Sequence, residues 1–286
     1  MVQLKHFIIT QFNLRLWSKD KLNRSTVTEE WLANRFVLFE KYCLPSILNQ
    51  VSKDFIWLCL FDENTPKQYI EKVNSYRKLC PQLTPCYLND EETSDWLEYT
   101  KRVMRSYLTN DDKYIITTNL DNDDSIHSGM VNFICEHVDK NQPDGDILYS
   151  FNYGYQYFTD LDVILKMVYP HNHFLSLVEK NTPDFKTIKV LPHAKARKYY
   201  KTIDIKNEPY WIEFVHRSNV NNDLRITSRI KYYPVFRNVS LRDFGLYITI
   251  RKSSSIFNIL LKMPLLFSKT AVRKLKKKFF KKKTNN

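Results

Sequence analysis

The chain has 286 residues, 43% of them hydrophobic, which is enough apolar material for a sizeable core in one large α/β domain or two small ones. Its four glycines (Gly129, Gly145, Gly154 and Gly245) stand too far apart for a glycine-rich phosphate loop, and its five cysteines, without a Cys-x-x-Cys pair, argue against a disulfide scaffold or structural zinc and for a reducing compartment. Of the formal charge of +13, twelve Lys or Arg and no Asp or Glu fall in 251–286, leaving 32 basic against 31 acidic residues in 1–250, so no nucleic-acid partner is expected for the body of the protein.

Residues 5–12 read as a first strand, since the apolar run is short and lacks the small-residue cleavage site of a signal peptide. Thr26-x-x-Glu29 has the form of a capping box ahead of Trp31, Leu32, Phe36, Phe39 and Leu44, which share one helix face, and Pro45 bends or ends that helix. The run 55–61 is apolar throughout and stops at Asp62, the pattern of a strand covered on both faces. Thr65-Pro66 starts a further helix, 83–88 is a short strand and 91–108 a helix. The β-branched run 114–120 is a strand leading directly into Asp121-Asn122-Asp123-Asp124, and 147–153 and 211–215 are strands beyond it. Strands alternating with helices give an α/β fold with a mostly parallel sheet, whose ligands bind beyond the carboxyl ends of the strands. Asp62 and the acidic run fall at those ends. No 18 consecutive apolar residues occur, so no bilayer-spanning helix is expected, and the chain is expected in the cytoplasm.

Three carboxylates within four residues at the end of a buried strand repel one another unless something positive compensates them. One reading is a divalent cation, Mg²⁺ or Mn²⁺, bridging carboxylates to substrate phosphates. The other is a solvated turn in which Asp124 or Ser125 caps a helix beginning near Ile126. His216, just after the strand 211–215, either completes a carboxylate metal site or is a structural histidine. Arg102 and Arg105 precede the acidic strand on a helix, where they pair with a diphosphate or face solvent.

An ordered set of segments carries a resemblance: HFIITQFN at 6–13, WLANRFVLFE at 31–40, YCLPSI at 42–47, FDENTP at 61–66, TTNLDNDD at 117–124, FNYGYQY at 151–157, FLSLVE at 174–179 and VHRSNV at 215–220. With these, the sequence resembles the rhamnosyltransferase family of bacterial glycosyltransferases. That resemblance implies a GT-A-like nucleotide-sugar-binding fold over 1–250 and transfer of a sugar from a nucleotide-diphosphate donor to a glycan or lipid-linked acceptor. It implies that Asp121-Asn122-Asp123-Asp124 is a DxD-type motif for metal and donor diphosphate, with Asp121, Asp123, Asp124 and His216 as the metal set. Asp62 would contact the nucleobase, with Thr10 and Asn13 near the nucleotide. The chain departs from the family pattern at Gln11, usually arginine, and at Arg217, often glycine. For an inverting transfer, Glu179 and Glu213 are the candidate general bases, with Asp146 as a third.

The segment 251–286 combines Ile256, Phe257, Leu260, Leu261 and Leu265 with the lysine run 276–283, which contains Phe279 and Phe280. This composition suits attachment to an anionic membrane surface at about 1 kcal/mol per basic residue. A solubilising tail and an RNA-binding tail are the alternatives. For the whole chain, the competing functions are a nucleotidyl- or phosphoryl-transferring enzyme and a non-catalytic membrane-associated binding protein.

Overall fold

The computed structural model describes residues 2–16, 19, 25–216, 229–235, 237–251, 260, 261 and 264. The chain opens with strand β1 (Leu4–Gln11) and crosses through helices α1 (Glu29–Leu38) and α2 (Leu44–Leu48) to β2 (Ile56–Asp62). It continues through α3 (Lys67–Leu79) to β3 (Leu83–Leu88), then through α4 (Asp90–Ser94) and α5 (Trp96–Arg105) to β4 (Tyr114–Asn119). Next come β5 (Ser125–Ile126), α6 (Met130–Asn141), β6 (Ile147–Phe151), β7 (Tyr153–Phe158), β8 (Val163–Val168) and β9 (Leu175–Lys180). The last elements are α7 (His193–Tyr199), β10 (Lys201–Ile205), β11 (Trp211–Val215), β12 (Lys231–Pro234), β13 (Val239–Ser240) and β14 (Thr249–Ile250).

The main sheet has the order β10-β6-β9-β4-β1-β2-β3, and within it only β9 runs against its neighbours. Successive side chains of its strands enter two different cores. Phe7, Ile9, Leu58, Leu60 and Ile115 pack with Met104 of α5 on one face. Ile8, Trp57, Cys59, Phe61 and Ile116 pack with Phe36, Val73 and Ile134 on the other. Burial on both faces is why β2 reads as an unbroken apolar run up to Asp62, each large side chain contributing about 1.5–3 kcal/mol. The chain leaves β1 toward β2 on one side and returns as β4 on the other, which opens a crevice beyond the carboxyl ends of these strands.

Several local features differ from expectation. The helix cap is Thr28 rather than Thr26: its hydroxyl accepts the Trp31 amide at 3.2 Å, and Glu29 and Glu30 then occupy the first turn, where the helix dipole favours acids. Pro45 does not end its helix. A π-helical turn at Phe39–Cys43 absorbs the proline before α2 continues. The segment 91–108 divides into α4 and α5 at Asp95, and the segment 147–153 divides at Asn152 into β6 and the start of β7. No helix starts at Ile126; Ser125–Ile126 is a strand, and α6 begins only at Met130.

A second sheet, β12-β8-β7-β11-β5, joins the first through the segment after β4. Trp211 anchors it, donating from its indole to Phe151 O at 2.7 Å and stacking on Phe174 with centroids 4.9 Å apart. The indole lies flat on Gly154, where an added Cβ would sit 2.1 Å from Trp211 Cδ2. The ring is fully buried and has nowhere to move. Gly154→Ala is therefore expected to destabilise the fold by about 1–3 kcal/mol, measured by urea unfolding, through displacement of Trp211. Wild-type stability in that variant would contradict the packing.

Candidate active site

A cavity of about 930 Å³ occupies the crevice, a size suited to a small-molecule ligand. Its floor is the ends of β1, β2 and β4, with Gln11, Asn13, Asp62, Asn119, Asp121, Asn122 and Asp123 on the wall. Trp31 and Arg35 of α1 close one side, and Ile188, Lys189 and His193 close another.

The register of the second sheet organises the acidic run. β5 and β11 are antiparallel, with Ser125 opposite Ile212 and Ile126 opposite Trp211. Going back along the chain from Ser125 to Asp123 therefore runs beside Ile212 to Phe214, with His216 two residues further on. Asp124 lies fully buried and accepts the Phe214 amide at 2.9 Å, while His216 Nε2 meets Asp123 Oδ2 at 2.9 Å. Arg35 Nη1 donates to the same Asp123 oxygen at 2.7 Å and to Asn122 Oδ1 at 3.1 Å. Asn122 in turn donates to Phe12 O at 2.8 Å. Burial opposes ionisation of Asp123, yet the Arg35 guanidinium and the His216 hydrogen bond hold its carboxyl well below the usual carboxylate range.

Asp124 turns its other oxygen to His173, whose Nε2 lies 2.7 Å away, and Asp121 Oδ2 is 3.7 Å from the same nitrogen. Burial works against a charged His173, but the Asp124 hydrogen bond and the charges of Asp121 and Asp124 outweigh it, raising the imidazole to about 9. Asp121, Asp124 and His173 offer three ligand atoms within 4.8 Å of one another. Two carboxylate oxygens and one imidazole are a donor set that could hold a divalent cation. His173 is steadied from behind, because Asn119 at the end of β4 donates to its carbonyl at 2.8 Å.

Other residues singled out in the sequence fall elsewhere. Asp62 and Asn13 line the cavity, where Arg15 pairs with the Asp62 carboxylate at 2.5 Å and the Asn13 amide oxygen accepts the Asp62 N–H at 3.2 Å. Thr10 is buried inside the sheet, accepting the Trp57 indole N–H at 2.9 Å. Arg102 is exposed and paired with Glu92 at 3.1 Å, and Arg105 donates to Pro183 O. Glu213 is buried in the second sheet against Gln156 Nε2 at 3.0 Å. Glu179 sits opposite Ile115 near the far end of β4, because β9 is antiparallel, and neither glutamate lines the cavity. Asp146 lies 3.9 Å from Lys186. The interfacial reading of the tail falls on residues of which all but 251, 260, 261 and 264 lie outside those described.

Sequence reasoning missed Arg35, His173 and Lys189. Arg35 had a signal, since it lies inside the quoted run 31–40 on a face otherwise apolar. His173 directly precedes the quoted run 174–179. Lys189 had none, because it depends on a turn described below.

No curated protein matches the chain. Solved structures that resemble it include S. aureus TarS 1–349, at 13% identity and a TM-score of 0.41, covering 74% of this chain and 60% of that one. Another is a "putative nucleotide-diphospho-sugar transferase" from Desulfovibrio desulfuricans G20, at 8% identity and a TM-score of 0.34, covering 73% of this chain and 82% of that one. The chain thus spans less than two thirds of the TarS fragment. With residues 12–228 matched, the chain belongs to the family described as "Putative rhamnosyl transferase".

Proposed function

We propose that the chain is a metal-dependent glycosyltransferase that moves a sugar, rhamnose by its family's description, from a nucleoside-diphosphate donor to a hydroxyl of a glycan or lipid-linked acceptor. The observation that carries this reading is the trio Asp121, Asp124 and His173, in which Asp121 and His173 line a cavity at the sheet's switch point and Asp124 lies buried beside them, in a chain of that family. Held by these three side chains, a divalent cation would stabilise charge building on the leaving diphosphate without proton transfer. Arg35 neutralises Asp123 and keeps the run Asp121–Asp124 in one conformation, so the ligands are positioned before the donor arrives. Asn119 fixes the backbone of His173, and Asn13 with Thr65 orders the loop that carries Asp62 toward the nucleobase end. Trp31, Trp96 and Phe12 supply apolar wall on which rings can lie and from which water is excluded. The lysine-rich composition of 251–286 supports a seat on the cytoplasmic face of an anionic membrane, where a lipid-linked acceptor would be met.

Thermal shift of the full chain against a panel of nucleoside-diphosphate sugars, with and without Mn²⁺, tests the reading. A matching donor at 100 times its Kd is expected to add about 2.7 kcal/mol of stability, with the effect depending on the metal. Stabilisation by nucleoside triphosphates alone would overturn sugar transfer in favour of nucleotidyl or phosphoryl transfer.

A further inference from the structure

Lys189 reaches the cavity from a turn in an unfavourable backbone conformation. Thr187, a β-branched residue, has φ +74° and ψ 155°, a region suited to glycine. Hydrogen bonds on both sides hold it there. The Glu179 carboxylate accepts the amides of Lys186 at 2.8 Å and Thr187 at 2.9 Å. Thr117 Oγ1 in β4 accepts the Ile188 amide at 2.8 Å, and Thr187 Oγ1 accepts that of Lys189 at 3.3 Å. Glu179 is thus the clamp of this turn. The turn carries the Lys189 side chain onto the cavity wall, where its ammonium donates to a neutral partner, Gln11 Oε1, at 3.3 Å. No carboxylate stands within ion-pair distance of it among the described residues. Burial pulls the Lys189 pKa down and the charge of nearby Asp121 pushes it back. Strained backbone over-determined by its surroundings is found at ligand clamps, and a cation set against an amide on a cavity wall is suited to meeting an anion there.

We propose that Lys189 is a binding residue for the diphosphate of the donor, sharing its charge with the cation site at Asp121, Asp124 and His173. The inference rests on the glycosyltransferase reading and deepens it. Two carboxylates and a divalent cation, with His173 neutral as a ligand, carry no net charge. Arg35 is committed to Asp123. The two negative charges of a sugar-linked diphosphate therefore need a further fixed cation, and the released nucleoside diphosphate, with a third charge, needs it more.

Isothermal titration of the full chain with UDP, dTDP and GDP, and with the matching nucleosides, tests this in the presence of Mn²⁺. Lys189→Met, which keeps the apolar stem, is expected to weaken the nucleoside diphosphate about 10–100-fold and to leave nucleoside binding unchanged. Lys189→Arg is expected to stay within about five-fold of wild type, since it keeps the charge. Gln11→Ala, which frees the ammonium from its guide, is expected to cost a few-fold and serves if Lys189→Met proves poorly folded. Wild-type diphosphate affinity in Lys189→Met, with affinity lost in Asp121→Asn, would overturn the Lys189 assignment alone. Failure of the wild type to bind any of the three diphosphates would overturn the glycosyltransferase reading as well.

Discussion

Asp121→Asn is expected to lower sugar transfer about 10³-fold, equivalent to about 4 kcal/mol of transition-state stabilisation, while the melting temperature stays within about 2 °C of wild type. The two readouts separate because of where this side chain lies. Asp121 is the exposed member of the trio, 47% accessible, and faces the cavity. Asp124, by contrast, is fully buried and holds the Phe214 amide, so its removal would disturb the second sheet together with the site. The asparagine keeps the shape and loses the charge that a cation needs. Calorimetric Mn²⁺ binding should weaken by at least 10-fold in parallel, since one of two carboxylate ligands has gone. Metal-dependent transfer at the wild-type rate in Asp121→Asn would remove the trio as the seat of the cation.

The alternating cores explain which parts of this architecture are legible in the sequence. β2 and β4 are covered on both faces, so they read as an unbroken apolar run and a β-branched run, and Asp62 at the end of the first and Asp121 just beyond the second mark the carboxyl edge. Strand direction has no such local mark. A parallel β9 would have brought Glu179, near its carboxyl end, to the cavity as the sequence reading supposed. Because β9 is antiparallel to β4, it is a residue two before its start, His173, that arrives there, and Glu179 is carried to the opposite edge. The same limit hid Lys189, whose place is set by a turn clamped from a strand many residues earlier. Local capping chemistry left two readings of Asp124 open. An aspartate before a short polar run resembles a helix cap, and only the pairing of β5 with β11 gives its carboxylate the Phe214 amide instead.

The largest stability effect should come from Arg35, whose buried side chain on the cavity wall holds the acidic run. Its side chain is 4% exposed and that of Asp123 7%, so the pair is effectively dry. Replacing Arg35 with methionine keeps much of the volume over Trp31, where the guanidinium carbon now lies 5.1 Å from the ring centroid. What is lost is the compensating charge. Asp123 would then keep His216 at 2.9 Å but lose the 2.7 Å bond from the guanidinium, and Asn122 would lose its donor as well. Breaking one side of a buried ion pair costs about 3–5 kcal/mol, which for a chain of this size is a fall in melting temperature of roughly 10 °C. If the cost is that of a stranded carboxylate, removing the carboxylate must recover part of it. The double variant Arg35→Met with Asp123→Asn is therefore expected to melt several degrees above Arg35→Met alone. Should the two variants melt together, the loss is one of packing around Trp31, and Arg35 does not act as the counter-charge of the acidic run.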